Sequence, residues 1–197
     1  MTKILHNKNY QHIFSKVNIS FSEIEYKNIF INYRKLIKDT IKSKYFFHLK
    51  GKIENEYSEY LDYELGKFIY KLKNDNNILY KKFLNNFGDK TYSKFWIDDK
   101  NILDKKGLYL FCVNNDIMYI GKCVDNFKNR IDIGYGNISP RNCFLGGQST
   151  NCRINYFITL VKNNIELYIL TMENIEEINK LEKILIKKYK PKWNIQK

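Results

Sequence analysis

The sequence predicts an α+β fold, in which a mainly helical region over residues 1–100 precedes a mixed region of strands and helices over residues 101–197. Apolar residues recur at helical spacing in the first region, and short runs rich in strand formers begin at Gly107 in the second. Because domains commonly have ~100–200 residues, the length allows one full domain with an appendage or two small domains. From the change of pattern we expect a boundary between residues 100 and 101.

The region 1–100 contains two predicted helices. Ser22-x-x-Glu25 has the pattern of a capping box, and apolar residues follow it at helical spacing. The first pattern comprises Ile29, Tyr33, Leu36, Ile37 and Ile41, and the second comprises Tyr57, Leu61, Leu65, Phe68 and Leu72. Since neither pattern carries a recognisable motif, we interpret these helices as core and interface.

The region 101–197 begins with a predicted β-hairpin, in which residues 107–113 and 117–121 flank a three-residue turn at 114–116. Asp125 is expected to cap a short helix that contains Arg130, and Ser149 is expected to cap a second helix. A third strand is predicted over 165–171. Asn174 then opens a final helix that has acids at its start and lysines at its end and stops before Pro191.

The net charge of +13 is spread over the whole chain, because residues 1–100 carry 19 basic and 12 acidic side chains and residues 101–197 carry 15 and 9. A basic protein with 16 Tyr, 13 Phe and 2 Trp residues suits nucleic acid, which lysine and arginine bind at phosphate and aromatic rings bind by stacking. An AT-rich gene explains the abundant Lys, Asn, Ile and Tyr, and the absence of Ala, about equally well. Composition therefore suggests nucleic acid without establishing it.

Several other classes of protein lose support. The sequence has no run of ~18 apolar residues and no signal-peptide pattern, so we expect a cytoplasmic protein without a membrane span. The four cysteines form no C-x-x-C pair, and all three histidines lie in the first half of the chain. This spacing disfavours a zinc site and favours reduced structural thiols.

Two features of the second region suggest chemistry. In the predicted hairpin Tyr109 faces Gly121 and Phe111 faces Tyr119, which places Tyr109 and Tyr119 diagonally on one face. Glu182 lies at the edge of the apolar stripe of the final helix, where a carboxylate is costly unless it is paired or holds a cation such as Mg²⁺. Each feature also has an ordinary explanation, as strand filling for the tyrosines and as a solvated or lysine-paired side chain for Glu182.

Gly107-Leu108-Tyr109, Tyr119-Ile120-Gly121, Arg130, Glu182 and Asn194 occur in this order on a strand, strand, helix, helix framework. This set resembles the GIY-YIG nuclease superfamily, with Leu108 at the usual isoleucine position. The stretch 142–155 is similar to the restriction-endonuclease branch of that superfamily. The resemblance covers about residues 105–197 and implies a small α/β sandwich with a central antiparallel three-stranded sheet flanked by helices.

The resemblance also implies roles for individual residues. Tyr109 would be the general base, although a phenol with a pKa near ~10 needs nearby positive charge for that role. Arg130 and Lys122 would supply the charge, Tyr119 would orient water or phosphate, and Asn194 would support the site. Glu182 would hold one divalent cation, Mg²⁺ or Mn²⁺.

One position departs from the family pattern. Family members often have His, Tyr or Lys about four residues after the arginine, whereas here Gly134 occupies that position and Tyr135 follows it. Tyr135 is therefore either a shifted catalytic residue or a structural aromatic. Lys128, Arg141 and Arg153 are candidate DNA contacts, and surface salt bridging is the alternative for the two arginines.

We therefore expect a metal-dependent endonuclease that cuts double-stranded DNA to 5′-phosphate and 3′-hydroxyl ends. A type II restriction enzyme is the first expectation, and a homodimer would match a two-fold site. A mobile-element or repair nuclease, or a non-catalytic nucleic-acid-binding protein, is the alternative. Residues 1–100 are expected to recognise DNA, to dimerise, or both.

Overall fold

The computed structural model describes residues 1–7 and 10–195 and is an α+β structure. The strands of this part of the chain are β1 (Thr2–Asn7), β2 (Tyr10–Val17), β3 (Ile19–Tyr26), β4 (Tyr92–Ile97), β5 (Gly107–Val113), β6 (Asp116–Cys123) and β7 (Ile165–Thr171). The α-helices are α1 (Ile37–Thr40), α2 (Lys50–Glu56), α3 (Leu65–Asn74), α4 (Ser149–Leu160) and α5 (Ile175–Tyr189). A π-helix spans Lys128–Tyr135, and 3₁₀ turns span Ile29–Asn32, Phe47–Leu49, Ser58–Tyr60, Ile78–Lys82, Lys100–Ile102 and Pro140–Cys143.

The chain divides into two compact units. The first contains Met1–Glu23, Ser93–Asn137 and the residues from Phe157 onward, and the second contains Ile24–Tyr92 and Ile138–Tyr156. These boundaries differ from the single division expected at residue 100. The roles expected for the regions 1–100 and 101–197 remain predictions.

The main sheet of the first unit has five strands in the order β1-β2-β7-β5-β6, and the neighbouring strands with a determined register are antiparallel. The expected three-stranded sheet is therefore wrong as a description of the whole sheet. Its three strands β5, β6 and β7 are present where they were predicted. The hairpin β1–β2 extends this sheet, because Ser15 of β2 pairs with Ile169 of β7.

The expected helical character of residues 1–100 is wrong at both ends of that region, since β1, β2 and β3 cover most of its start and β4 lies near its end. Ser22 and Glu25 belong to β3 and cap no helix. One physical reason is that β2, which pairs with the neighbouring β1, also pairs with β7 about 150 residues away, as the ion pair from Lys16 to Glu166 illustrates. A pattern read within a short window of sequence does not detect such pairing.

The β5–β6 hairpin has the predicted register where the candidate residues lie, with Tyr109 opposite Gly121 and Phe111 opposite Tyr119. Its turn is shorter than predicted, because Asn114 and Asn115 alone connect the strands and both have positive φ, 49° and 71°. A β-bulge shifts the register by one residue between Phe111 and Cys112, and this shift compensates for the shorter turn, so that Phe111 still pairs with Tyr119.

Each unit has its own apolar core. In the first, one face of the five-stranded sheet packs against α5 through a buried cluster that includes Leu108, Leu110, Ile120, Ile178, Leu181 and Leu185. In the second, the core is formed by residues that include Phe30, Ile37, Phe68, Phe83 and Phe144. All four cysteines are buried, and none of them forms a disulfide in the described part of the chain. No helix among the described residues is long and apolar enough to cross a membrane.

Candidate active site

Three tyrosine hydroxyls meet inside the first unit. The Tyr135 hydroxyl lies 2.9 Å from that of Tyr109 and 3.3 Å from that of Tyr119. Tyr109 and Tyr119 project from the face of β5 and β6 opposite the one that packs against α5, since their register partners alternate with the buried core residues. Three phenols on two strands and one helix thus form one hydrogen-bonded cluster.

Arg130 joins this cluster from the π-helix. Its Nε–H donates to the Tyr109 hydroxyl at 3.0 Å, and its guanidinium carbon lies 4.6 Å from the centre of the Tyr135 ring. In the part of the chain that the structure describes, the terminal amino groups of Arg130 have no hydrogen-bond acceptor. These groups are therefore available to an anion.

The π-helix explains how Tyr135 reaches the cluster although it lies five residues after Arg130. Hydrogen bonds in a π-helix join residues five apart, and the Gly136 N–H donates to the Ile131 carbonyl at 2.7 Å. Residues i and i+5 consequently lie on one side of the helix. The expected cap at Asp125 is wrong, because the Asn126 side chain accepts the Asn129 N–H at 2.8 Å.

The cluster holds a strong positive charge next to buried phenols. Complete burial raises the pKa of Tyr109, and Tyr119 adds to the rise, whereas the Arg130 guanidinium and the hydrogen bond with Tyr135 lower it. Burial alone lowers the pKa of Arg130, but the neighbouring phenols, Tyr109 first, raise it overall, so the guanidinium stays charged. Burial also raises the pKa of Tyr135. Arg130 and the hydrogen bond with Tyr135 therefore favour a phenolate at Tyr109, and burial opposes it.

Gly121 provides the space for Tyr109. A Cβ built on Gly121 would overlap the Tyr109 ring at its hydroxyl-bearing end. The two residues are direct cross-strand partners, so the Tyr109 ring lies across the glycine. This contact gives a physical reason for a glycine two residues after Tyr119.

Lys122 and Glu182 form an ion pair beside Arg130. The Lys122 ammonium lies 2.9 Å from the Glu182 carboxylate, and their side chains are 34% and 17% exposed. An open pocket of about 400 Å³ is lined by these two residues, Arg130 and residues 123–126 and 129. Arg130 and Glu182 both line this pocket. The pocket lies at the end of β6, which is an edge strand of the sheet.

Asn194 pairs with the outer edge of β6. Its side-chain amide donates to the Ile120 carbonyl at 2.8 Å and its Oδ1 accepts the Ile120 N–H at 2.9 Å. Asn194 therefore bonds both the N–H and the carbonyl of Ile120, which lies between Tyr119 and Gly121. The side chain supports the strand and is not part of the tyrosine cluster.

The candidate DNA contacts lie outside this cluster. Lys128 is exposed on the π-helix of the first unit, whereas Arg141 and Arg153 belong to the second unit. Arg141 donates to the carbonyls of Leu145 and Gly146 at 3.3 Å, and the buried Nε of Arg153 has no hydrogen-bond partner among the described residues. Neither arginine forms an ion pair within that part of the chain, so the alternative of salt bridging finds no support there.

The sequence reasoning did not anticipate the polar wall of the pocket, where Asn129 donates to the Asp125 carboxylate at 2.5 Å. The sequence did contain a signal for this contact, because Asp125, Asn126 and Asn129 have the spacing of polar residues at the start of a helix. Among the residues the structure describes, no three His, Cys, Asp or Glu side chains gather as a metal cluster. Two carboxylates of the described residues line this pocket, that of Glu182, which is paired with Lys122, and that of Asp125, which accepts from Asn129.

Comparison with known proteins gives a sequence match over about half of the chain. No protein-family model matches. Over 97 residues, 48% of this chain, the sequence is 36% identical to UvrABC system protein C of Fusobacterium nucleatum, and the match spans 14% of that protein. The chain thus covers only a small part of the length of this curated relative.

Two crystal structures of the GIY-YIG N-terminal endonuclease domain of UvrC from Thermotoga maritima are also similar. Both are point mutants with a bound catalytic divalent cation. One is 27% identical, covers 48% of this chain and 88% of its own, and has a TM-score of 0.35. The other is 25% identical, covers 50% and 99%, and has a TM-score of 0.33. At these TM-scores the likeness of the backbones is weak.

The tyrosine cluster, Arg130 and the carboxylate of Glu182 all lie in the first unit. The sequence match over 48% of the chain confirms the resemblance to the GIY-YIG nuclease superfamily that the motif residues carry. Assignment to the restriction-endonuclease branch remains a prediction.

Proposed function

We propose that the protein is a divalent-metal-dependent DNA endonuclease that hydrolyses phosphodiester bonds to 5′-phosphate and 3′-hydroxyl ends. The observation that carries this proposal is the shared position of Arg130, which donates to Tyr109 and also lines the pocket that contains Glu182. Arg130 thereby connects a candidate base, Tyr109, with a pocket that contains a candidate metal carboxylate, Glu182. Binding alone would not require all three.

Arg130 and Lys122 bind the scissile phosphate in this proposal. The terminal amino groups of Arg130 point to no acceptor within the described residues, and a guanidinium matches phosphate oxygens in a two-pronged geometry. Their positive charge also stabilises the additional negative charge of the transition state.

Tyr109 acts as the general base and removes a proton from the attacking water. Burial opposes ionisation of this phenol, while the Arg130 N–H and the Tyr135 hydroxyl favour its phenolate form. Tyr135 shares a hydrogen bond with Tyr109 and another with Tyr119, so it orients both hydroxyls. Tyr119 then positions the water or a phosphate oxygen.

The residues of the pocket fit a hard divalent cation such as Mg²⁺ or Mn²⁺. Glu182 presents a carboxylate that already faces a cation, the Lys122 ammonium at 2.9 Å. Mg²⁺ is commonly held by one or two carboxylates, with water and substrate phosphate completing its ligands. A bound cation would neutralise charge on the leaving oxygen. Glu182 would hold the cation, and Asn194 keeps β6, the strand that carries Lys122, in place.

A type II restriction endonuclease remains our first proposal for the biological role. A chain with one such site cuts one strand at each encounter, so duplex cleavage at a short site favours a homodimer with two-fold symmetry. The match to UvrABC system protein C supports a repair nuclease equally well. A cytoplasmic location is part of both proposals.

Digestion of a long duplex DNA with Mg²⁺ or Mn²⁺, followed by sequencing of the ends, tests the function. Discrete fragments with 5′-phosphate ends support restriction, and structure-dependent or damage-dependent nicking supports the repair alternative. Glu182→Gln is the control, because it removes the carboxylate charge while preserving size, and it is expected to bind DNA without cutting it. If the unmodified protein binds DNA but does not cut it with either cation, the enzyme proposal is wrong and the non-catalytic nucleic-acid-binding alternative is supported.

A further inference from the structure

The second unit has a basic segment that the proposed chemistry does not use. Residues 40–53 contain four lysines and one histidine and no acidic residue. Within them Lys44 and Lys50 flank a run of three aromatic residues, Tyr45, Phe46 and Phe47. Aromatic side chains next to basic ones are typical of nucleic-acid-binding surfaces.

The local fold separates this segment into an inner and an outer side. Phe46 and Leu49 are buried in the core of the second unit. Tyr45 and Phe47 point outward and are 41% and 64% exposed. The 3₁₀ turn Phe47–Leu49 produces this arrangement, because its three residues per turn place Phe46 and Leu49 on the core side and leave Phe47 exposed. The outward residues Lys44, Tyr45, Phe47 and Lys50 are called the Lys44–Lys50 surface below.

Positive charge lies against the exposed rings. The Lys44 ammonium is 5.3 Å from the centre of the Tyr45 ring, and the Lys50 ammonium is 6.0 Å from that of Phe47. No carboxylate lies within 4 Å of Lys44 in the described part of the chain, and the Lys50 to Glu54 pair is long at 3.8 Å. The surface therefore presents cations that are weakly neutralised by the protein itself.

The stretch 142–155 supports this surface. The Tyr45 ring packs over Gly146, whose φ is +71° and where a Cβ would overlap the ring. Arg141 holds the same loop through the carbonyls of Leu145 and Gly146, and its guanidinium lies 5.8 Å from the centre of the Tyr33 ring. Tyr45 is thus held in place before any ligand binds, which reduces the entropy lost on binding.

We infer that the Lys44–Lys50 surface binds DNA, with the lysines at backbone phosphates and Phe47 against sugars and bases. An exposed Phe in water is unfavourable, and its burial against DNA would recover that free energy. The inference rests on the proposed function, because it assumes that DNA is the substrate. It adds a second place of contact, on the unit that lacks the tyrosine cluster.

Fluorescence anisotropy with a labelled duplex, without divalent cation and over a series of salt concentrations, tests the inference. Lys44→Gln should reduce the slope of log K against log salt by ~0.9, because one phosphate contact is lost. Phe47→Ala should weaken binding by about tenfold at every salt concentration and leave the slope unchanged. In single-turnover cleavage, Phe47→Ala should raise the half-saturating enzyme concentration and preserve the maximal rate.

Two matched variants serve as controls. Tyr63 is 53% exposed but lies between Asp62 and Glu64, and Lys67 is an exposed lysine paired with Glu64, so Tyr63→Ala and Lys67→Gln should bind DNA as the unmodified protein does. The inference would be overturned if Lys44→Gln and Phe47→Ala both kept the affinity, the salt slope and the melting temperature of the unmodified protein. Cleavage of DNA by the unmodified protein would show that the proposed function still holds in that case. Absence of DNA binding by the unmodified protein would instead overturn the proposed function.

Discussion

The guanidinium carbon of Arg130 lies 4.6 Å from the centre of the Tyr135 ring, although the two residues are five positions apart in a helix. In an α-helix the nearest neighbours on one face are three or four residues apart. The π-helical hydrogen bonding changes this spacing and brings Tyr135, rather than Gly134, to the Tyr109 hydroxyl. This relationship supports our proposal that Tyr135 takes the place of the residue expected four positions after the arginine. π-Helical segments are rare and are frequent at functional sites.

Tyr135→Phe should slow cleavage by about tenfold and shift its pH dependence. The hydrogen bond from Tyr135 lowers the pKa of Tyr109, so its removal raises that pKa. Less phenolate is then present at a given pH, and the rising limb of the pH–rate profile moves to higher pH. The measurement is kcat between pH 6 and 10.

Tyr189→Phe is the matched control, because the Tyr189 hydroxyl bonds the His6 N–H away from the cluster. It should leave the pH profile unchanged. A profile that does not move in Tyr135→Phe would contradict the role assigned to Tyr135.

Gly121→Ala should displace Tyr109 and reduce the cleavage rate by about 100-fold, because even a 1 Å misplacement of a reacting group is costly. The added methyl group would overlap the Tyr109 ring, so the melting temperature should fall as well. Gly51→Ala is the control, since a Cβ there meets nothing within 4 Å and Gly51 lies in α2. That change should stabilise the protein slightly and preserve activity. Full activity of Gly121→Ala would show that Tyr109 does not need its observed position.

Lys122→Met should increase the affinity of the pocket for Mn²⁺ by about fivefold, because the ammonium no longer competes for Glu182. Isothermal titration calorimetry without DNA measures this affinity independently of cleavage. Lys106→Met, which removes the partner of Glu173 at 3.9 Å, should not change it. An affinity that is unchanged or lower in Lys122→Met would contradict competition between ammonium and cation.

Asn194→Ala should destabilise the protein by about 1–3 kcal/mol, because two hydrogen bonds to the backbone of Ile120 are lost. The melting temperature should fall by several degrees, and kcat should fall with it, since β6 carries Tyr119 and Lys122. Asn137→Ala, at an exposed position of the first unit, should change neither quantity. Unaltered stability in Asn194→Ala would argue against its pairing with β6.

Local features of this fold were predictable from the sequence. Asn174 caps α5 by accepting the N–H groups of Glu176 and Glu177, and the helix ends before Pro191 as expected. The Tyr109–Gly121 register was also predictable, because a short hairpin restricts which residues face each other. In both cases the interacting residues lie close together along the chain.

The sequence alone determined the elements whose partners are near in the chain, and with them the set of residue types that the site requires. The tertiary structure decided the rest: the addition of β1 and β2 to the sheet beside β7, the pairing of Lys122 with Glu182, and the hydrogen bond that brings Tyr135 to Tyr109. Strand pairing and ion pairing across long separations depend on packing of the whole unit. The π-helix likewise forms in its tertiary context, where it allows Tyr135 to be buried between Tyr109 and Tyr119.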